Sequence, residues 1–293
     1  MPFIFKPLHP IFTAEAEGFD LRRPLTAEAR DAITAAMDRY AVLVFRGQDI
    51  DDDQQLAIGL DFGPLEAEPA TVELHRRRLK HARMNDISNL DEQGRILAAD
   101  DRRRMFNLGN RLWHSDSSFK ATPAKYSLLH ARVVPSTGGE TEFADTRHAW
   151  DTLPASVQAR VETLVCEHSL LFSRAQLGFA EFSEQERERF APVPQRLVRR
   201  HPGSGRRSLF LASHIGRIIG WPAPEALMLI RDLIEHATPR EAVYVHRWRV
   251  GDLVMWDNRC TLHRGRGYDD RTEARDLRRV TLMDVAPTLE QAA

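Results

Sequence analysis

Apolar and polar residues alternate with two different periods along this chain, and each period predicts a different kind of element. Apolar residues return every three or four positions over 27–39 and 223–236, which is typical of helices with one buried face. Thr26 is placed to cap the first of these helices. Further helices are predicted from Asp51 to Asp61, near 145–152 and over 155–164.

Short apolar runs bounded by turn residues predict strands instead. They occur at 41–45, 86–90, 126–134, 141–143, 166–172, 196–200, 207–212, 242–248, 252–257 and 277–283. Many short strands broken by turns indicate a sandwich or a closed barrel. We therefore predict a mainly β protein with flanking helices, built as a jelly roll, because that fold brings residues distant in sequence to one barrel mouth.

The chain contains no internal repeat and no linker rich in Gly, Ser or Pro, so we predict a single domain over residues 1–293. Two irregular polar segments, 66–85 and 98–110, are predicted to be loops. Long loops of this kind are often lids over a site, and we predict that role for both segments.

The composition narrows the classes of function. The chain is 42% hydrophobic and 28% charged, which is ordinary for a globular protein. Lys and Arg total 41 against 42 Asp and Glu, and the net charge of −1 argues against nucleic-acid binding through bulk charge. No apolar stretch approaches a membrane span, and the two cysteines permit no disulfide framework. We therefore expect a cytoplasmic protein with neither nucleic-acid nor membrane partners.

Three residues form a candidate metal site. His114 and Asp116 are two apart, and on an extended segment such residues project to the same side and can hold one ion. His263 follows a predicted strand and can supply a third ligand. Two histidines and one carboxylate with open positions are the ligand set of non-haem Fe(II) oxygenases. A zinc hydrolase can share this set and stays an alternative. We expect Trp113 to form an apolar wall beside the ion.

Two arginines follow the third candidate ligand. Arg275 and Arg279 are four apart, and on a strand residues with this spacing share one face. A guanidinium binds a carboxylate through two parallel hydrogen bonds and keeps its charge when partly buried. One arginine can hold the distal carboxylate of 2-oxoglutarate and the other an anionic substrate. The alternative is a pair of surface salt bridges.

Several segments of the chain resemble the TauD/TfdA family of dioxygenases, and they are most similar to its TfdA branch, the 2,4-dichlorophenoxyacetate dioxygenases. They are LWHSDSSF at 112–119, VPSTGGETEF at 134–143, GDLVMWDNRC at 251–260, AVLVFRGQ at 41–48 and HRGR at 263–266. The resemblance covers nearly the whole chain. It implies a double-stranded β-helix of the cupin type and an enzyme that uses Fe(II), 2-oxoglutarate and O2.

The resemblance also implies roles for individual residues. The iron ligands would be His114, Asp116 and His263; the 2-oxoglutarate ligands Thr141 and Arg275; and the substrate-side residues Arg279, for the acid group, with Asn110, His201 and His214. For the last two histidines, the alternative is a strand-end position bonded to the backbone. The chain departs from the TfdA pattern at Thr71 and Arg217, where that branch has a Lys and a His. Both lie in segments that we expect to shape the substrate pocket.

The expected activity is hydroxylation of a small anionic substrate, with an aryloxyacetate as the leading candidate. Its ether would be cleaved to a phenol and glyoxylate, with release of succinate and CO2, as in herbicide and aromatic catabolism. Alkylsulfonates of the taurine type and sulfate esters are alternative substrates. A non-catalytic module that binds metal and 2-oxoglutarate is a further alternative. Relatives in this family commonly associate, so we expect a homo-oligomer.

Overall fold

The computed structural model describes residues 2–67 and 78–291. Within these residues the chain forms eight α-helices: α1 (Ala27–Tyr40), α2 (Asp52–Leu60), α3 (Arg102–Asn107), α4 (Thr146–Thr152), α5 (Ala155–Val161), α6 (Leu170–Ala175), α7 (Glu184–Arg189) and α8 (Ala223–Ala237). Short 3-10 helices lie at Leu108–Arg111, Arg240–Ala242 and Thr288–Glu290. The structure thus has helices at every position where the periodicity predicts one.

The described residues also form fifteen strands. They are β1 (Ile4–Pro7), β2 (Ala14–Glu17), β3 (Val42–Phe45), β4 (Met84–Ser88), β5 (Ala124–Val133), β6 (Thr141–Asp145), β7 (Val165–His168), β8 (Val193–Arg196), β9 (Val198–Arg200), β10 (Arg207–Leu209), β11 (Ile215–Ile218), β12 (Val243–His246), β13 (Leu253–Asp257), β14 (Thr261–Gly265) and β15 (Asp276–Met283). The strand-rich content agrees with the predicted fold class.

Helix α1 shows why the sequence predicted its ends so closely. The Thr26 hydroxyl accepts a hydrogen bond from the Ala29 amide at 3.1 Å and so satisfies one free N–H of the first turn. The helix ends where Ala41 adopts a left-handed backbone with φ of 58°. Ile33 and Met37 are buried on one face, which packs into the core.

The strands form one large sheet and three small ones. The large sheet has the order β1-β2-β3-β13-β5-β15-β4, and its pairs are antiparallel except β2 with β3. A second sheet has the order β12-β6-β14. Phe143 of β6 packs against Trp256 of β13 with ring centroids 5.6 Å apart, within a buried cluster that draws on both sheets. The two sheets therefore face each other across one apolar core.

Two predicted elements are wrong. The segment 98–110 is largely helical, because Asp101 caps α3 by accepting from the Arg103 amide at 2.8 Å and Phe106 is buried among other aromatic rings. Because α3 begins with consecutive arginines and Phe106 is its one buried residue, the sequence has no apolar pattern that predicts this helix. The predicted strand 166–172 stops at His168, because Ser169 caps α6 by accepting from the Phe172 amide at 3.2 Å.

Most of the other predicted lid, 66–85, lies outside the described residues, which resume at residue 78. From there Arg78 binds the carboxylates of Asp86 and Asp276, and Met84 begins β4. The described end of this segment is therefore fixed to the large sheet. Among the residues that the structure describes, no helix has both the length and the apolar content needed to span a bilayer.

Candidate active site

A backbone bridge joins the two motif segments that lie far apart in the sequence. The His114 amide donates to the His263 carbonyl at 3.0 Å, and the His263 amide donates back to the His114 carbonyl at 2.9 Å. His263 itself lies on β14, paired with Phe143 of β6. This bridge sets the spacing of the two imidazoles, whose ring centroids are 4.2 Å apart.

The three predicted metal ligands converge at one point. Asp116 Oδ1 lies 3.8 Å from His114 Nε2 and 3.7 Å from His263 Nε2. One ligand atom from each of the three residues lies within 4.8 Å of the others, and all three side chains are buried. The sequence-predicted set is therefore brought together as a candidate metal centre.

Hydrogen bonds with neighbouring side chains fix the position of Asp116. Ser127 Oγ donates to Asp116 Oδ2 at 2.7 Å, and the Asp116 amide donates to Asn258 Oδ1 at 3.0 Å. Asn258 Nδ2 in turn donates to Ser127 Oγ at 3.0 Å. Outer contacts of this kind orient metal ligands and hold their geometry. Arg279 Nη1 donates to the other carboxylate oxygen, Asp116 Oδ1, which faces the two histidines.

The protonation states suit metal binding. Burial lowers the pKa of His114 and lowers that of His263 further, so both rings are neutral near pH 7. Burial opposes ionisation of Asp116, but the charge of Arg279, the interactions with the two imidazoles and the hydrogen bond from Ser127 outweigh it and lower its pKa to about 2. Neutral imidazoles and an ionised carboxylate are the forms that bind a cation.

The donor geometry fits a divalent metal. His114 Nδ1 lies 2.7 Å from the Leu112 carbonyl oxygen, to which it donates, so Nε2 presents its lone pair to the centre. Two imidazole nitrogens and one carboxylate oxygen leave half of an octahedron open for other ligands. The residues present can therefore hold Fe(II) with room for a chelating cosubstrate.

One of two pockets at the centre contains both predicted 2-oxoglutarate ligands. Thr141 and Arg275 line it together with His114, His263 and Arg279. The Thr141 hydroxyl accepts from Trp248 Nε1 at 3.0 Å, which leaves its own hydrogen free to donate. These contacts make the pocket suited to an acidic cosubstrate.

Arg275 is a buried cation without an acid partner among the described residues. Its Nη1 and Nη2 make only long contacts of 3.4 Å, to the carbonyls of Ile87 and Gly139, and its Nε has no partner. Burial lowers its pKa to about 10, so it stays charged near neutrality. A buried charge is costly unless it is paired, and a bound carboxylate would supply the missing partner.

The second pocket lies on the other side of the same ligands. Asn110, His214 and Arg279 line it with the ligands His114 and Asp116. The His214 ring lies edge-on to Phe119 with centroids 4.9 Å apart, and its Nδ1 lies 2.8 Å from Ser173 Oγ. Asn110 and Arg279 line both pockets. This arrangement suits a small substrate beside the metal and the cosubstrate.

Two sequence expectations are corrected by position. His201 lines neither pocket; it is buried elsewhere, with Nε2 2.9 Å from Asp257 Oδ2. Trp113 packs away from both pockets under the Arg264 guanidinium, and Trp256, at 4.8 Å from the His263 ring, is the indole beside the ligands. Arg217 lies outside the pockets with its side chain 61% exposed and near Glu167. Thr71 lies outside the described residues.

Sequence reasoning missed several residues that shape the centre. Ser127 lies in a predicted strand and carries no motif, although it orients Asp116. Phe119, Leu170 and Arg174 line the second pocket, and the last two lie on α6, which the sequence did not predict. No local sequence pattern distinguishes these positions, and only their neighbours in the folded structure identify them.

Comparison with known proteins agrees with this geometry. The sequence matches the family described as taurine catabolism dioxygenase TauD, TfdA family, over residues 4–281. It is 49% identical to the alpha-ketoglutarate-dependent 2,4-dichlorophenoxyacetate dioxygenase of Cupriavidus pinatubonensis, over 98% of this chain and 99% of that protein. It is 37% identical to the (S)-phenoxypropionate/alpha-ketoglutarate-dioxygenase of Sphingobium herbicidovorans, over 91% of this chain and 90% of that protein.

A solved structure gives the same result. The crystal structure of AAD-2 in complex with Mn(II) and N-oxalylglycine matches with a TM-score of 0.95 and 52% identity, over 98% of this chain and 100% of that one. These likenesses confirm the resemblance found in the sequence, the jelly-roll fold and the assignment to metal-using, 2-oxoglutarate-dependent enzymes. The chain therefore belongs to the TauD/TfdA family of dioxygenases.

Proposed function

We propose that this chain is an Fe(II)- and 2-oxoglutarate-dependent dioxygenase that cleaves aryloxyacetates to a phenol and glyoxylate. The observation that carries the proposal is the placement of His114, Asp116 and His263 between two pockets, one of which holds the unpaired cation Arg275. The 49% sequence identity to a 2,4-dichlorophenoxyacetate dioxygenase, over 98% of this chain, supports this substrate class.

The residues of the cosubstrate pocket bind and orient 2-oxoglutarate. Arg275 takes its far carboxylate through a charge-assisted pair of hydrogen bonds, and the free hydrogen of the Thr141 hydroxyl donates to the same group. This directs the keto acid end towards His114 and His263. Fe(II) bound by the three ligands supplies the redox chemistry that lets dioxygen oxidise 2-oxoglutarate and a substrate C–H bond.

The residues of the substrate pocket decide which C–H bond reacts. Arg279 offers a cation for the substrate's acid group, and the apolar side chains of Phe119 and Leu170 contact the aryl ring and exclude water. Hydroxylation between the ether oxygen and the carboxylate gives a hemiacetal, which collapses to a phenol and glyoxylate. One oxygen atom of O2 enters the substrate and the other enters succinate as 2-oxoglutarate loses CO2.

A substrate panel tests the proposal. The enzyme, supplied with Fe(II) and 2-oxoglutarate, is given phenoxyacetate, a chlorinated phenoxyacetate, taurine or an alkyl sulfate, and succinate release is measured. We expect release with the phenoxyacetates together with phenol formation. Succinate release with only the sulfonate or the sulfate ester would replace the proposed substrate class. Binding of 2-oxoglutarate without substrate-dependent oxygen consumption would indicate a non-catalytic module.

Four further expectations from the sequence belong to the proposal. The chain acts as one domain, the second of the two predicted lid segments, 98–110, closes over the substrate pocket, and the enzyme works in the cytoplasm as a homo-oligomer. Arg103 and Phe106, from the second segment, line that pocket and so support a covering role. Light scattering of the purified enzyme measures the oligomeric state, and protection from proteolysis on substrate binding measures closure.

A further inference from the structure

Four arginines line the substrate pocket, and they differ in their ion pairs. Arg78 binds Asp86 and Asp276, Arg103 binds Asp101 and Glu92, and Arg279 binds Asp116. Arg174 has no carboxylate partner among the residues that the structure describes. It is thus the counterpart, in this pocket, of Arg275 in the cosubstrate pocket.

The Arg174 side chain is packed tightly at the pocket wall. It extends from α6, is only 5% exposed, and its Cζ lies 4.5 Å from the centre of the Phe106 ring. On another side lies Gly109, where an added Cβ would come within 2.2 Å of Arg174 Cζ. A glycine at this position is what lets the guanidinium lie against the backbone.

The hydrogen bonds of Arg174 leave most of its donors free. Nη1 donates to Ser173 Oγ at 3.1 Å, and Nε is buried without a partner. Ser173 Oγ also lies 2.8 Å from His214 Nδ1, so one hydroxyl positions both the cation and the imidazole of this pocket. A guanidinium has five N–H donors, and here a neutral hydroxyl satisfies only one of them.

A buried guanidinium without an anionic partner lowers the stability of the folded protein. Burial lowers the pKa of Arg174 to about 9, so the group is still a cation near neutrality. An uncompensated buried charge destabilises a fold, and a bound anion relieves that cost. The pocket that Arg174 lines opens beside the metal ligands His114 and Asp116.

We propose that the Arg174 guanidinium binds the carboxylate of the substrate and is a specificity-determining residue of this enzyme. The inference rests on the proposed function, in which the substrate is an aryloxyacetate. It adds a second cation to Arg279, whose charge is partly taken up by Asp116. The two arginines then receive the substrate acid from two sides, and the aryl ring extends towards Phe119 and Leu170.

A purely structural role predicts something different. In that case Arg174 only joins α6 to α3 through its contact with Phe106. Arg102 provides the matched control, because it contacts Phe179 of the same aromatic cluster at 5.4 Å and pairs with Glu186, but does not line the pocket. Arg102→Met removes a similar packing contact and leaves the pocket's charge unchanged.

The test compares an acid with its neutral amide. The enzyme is loaded with Mn(II) and 2-oxoglutarate, and the binding of phenoxyacetate and of phenoxyacetamide is measured by calorimetry for the wild type, Arg174→Met and Arg102→Met. We expect the wild type to prefer the acid. Arg174→Met should lose roughly 10- to 100-fold in affinity for the acid and little for the amide, because one charged hydrogen-bond partner is gone. Arg102→Met should keep the wild-type ratio.

Turnover with Fe(II) gives a second reading. Arg174→Met should raise KM for phenoxyacetate while kcat and KM for 2-oxoglutarate stay near the wild-type values, and Arg174→Lys should recover part of the loss. If Arg174→Met does not fold, as judged by circular dichroism, Gly109→Ala takes its place, since the added methyl displaces the guanidinium. It too should lower the ratio of acid to amide affinity.

Each proposal can fail alone. A wild-type ratio in Arg174→Met, or in Gly109→Ala where it serves as the substitute, overturns the assignment of Arg174. So does a wild type without preference for the acid, or an equal fall of the ratio in Arg102→Met. Failure of the wild type to release succinate with any aryloxyacetate overturns the proposed function instead.

Discussion

Arg279 donates a hydrogen bond to Asp116 Oδ1, the same carboxylate oxygen that faces the Nε2 atoms of His114 and His263. The Arg279 cation and the candidate metal centre are therefore electrostatically coupled. Arg275, four residues earlier and directly before β15, makes no such contact with the ligands. The two arginines lie four residues apart and differ in what their charges act on.

The two arginine substitutions should therefore have different effects. Arg275→Ala should raise KM for 2-oxoglutarate by roughly 10- to 100-fold, since it removes the charged partner of the far carboxylate, and should change KM for the substrate much less. Arg279→Ala should do the reverse, raising KM for the substrate while changing KM for 2-oxoglutarate much less. Steady-state kinetics with each reactant varied in turn measure this, and equal effects of the two changes contradict the assigned roles.

Removal of one ligand should abolish the metal centre. His114→Ala leaves one imidazole and one carboxylate, so we expect loss of both iron binding and succinate release. Anaerobic titration with Fe(II) and 2-oxoglutarate measures this through the visible absorption of the iron chelate. His246→Ala changes a histidine that is equally buried but lines neither pocket, and it should keep the absorption. Retained absorption in His114→Ala would remove this residue from the ligand set.

The Ser127 hydroxyl, which orients Asp116, should increase metal affinity. Ser127→Ala removes the hydrogen bond to Asp116 Oδ2, and the expected result is a metal affinity lower by roughly 10- to 100-fold with the fold intact. Ser208→Ala is the matched control, because its buried hydroxyl donates to the Arg259 carbonyl away from both pockets. Competition with a metal chelator gives the affinities, and similar losses in both variants would contradict a positioning role for Ser127.

Acid stability should depend on a buried histidine that lines neither pocket. His168 stacks on Phe210 at 5.5 Å, neither ring nitrogen has a partner among the described residues, and burial lowers its pKa to about 3. As the pH falls below about 6.5, the unfolded chain takes up a proton at this group before the folded protein does. Its stabilising effect is present above about pH 6.5 and is lost as the pH falls towards about 3.

The size of this effect can be measured with one substitution. For a single group with these two pKa values, linkage gives a loss on the order of 2 kcal/mol between about pH 7 and about pH 5. His168→Phe should flatten the dependence of the free energy of unfolding on pH by about that amount, because a ring is kept and the titrating group is removed. Urea unfolding of both proteins at several pH values measures it. An unchanged slope would show that other groups dominate.

The sequence by itself determined the chemistry of short segments. His114 and Asp116 were predicted as ligands because residues two apart on an extended chain project together, and the structure brings them within reach of His263. The ends of α1 were predicted because a capping threonine and a helical period act over a few residues. Such signals are local, so they survive without any knowledge of the fold.

Only the tertiary structure determines which charged side chains lack an ion-pair partner. In sequence Arg78, Arg174, Arg275 and Arg279 look alike, but Arg78 binds Asp276, almost two hundred positions away, and Arg174 meets no acid among the described residues. It also moved His201 away from the pockets and placed Trp256 beside the ligands. The physical reason is that ion pairing and burial depend on neighbours in space. The energy of a charge is therefore set only when distant strands and helices have packed around it.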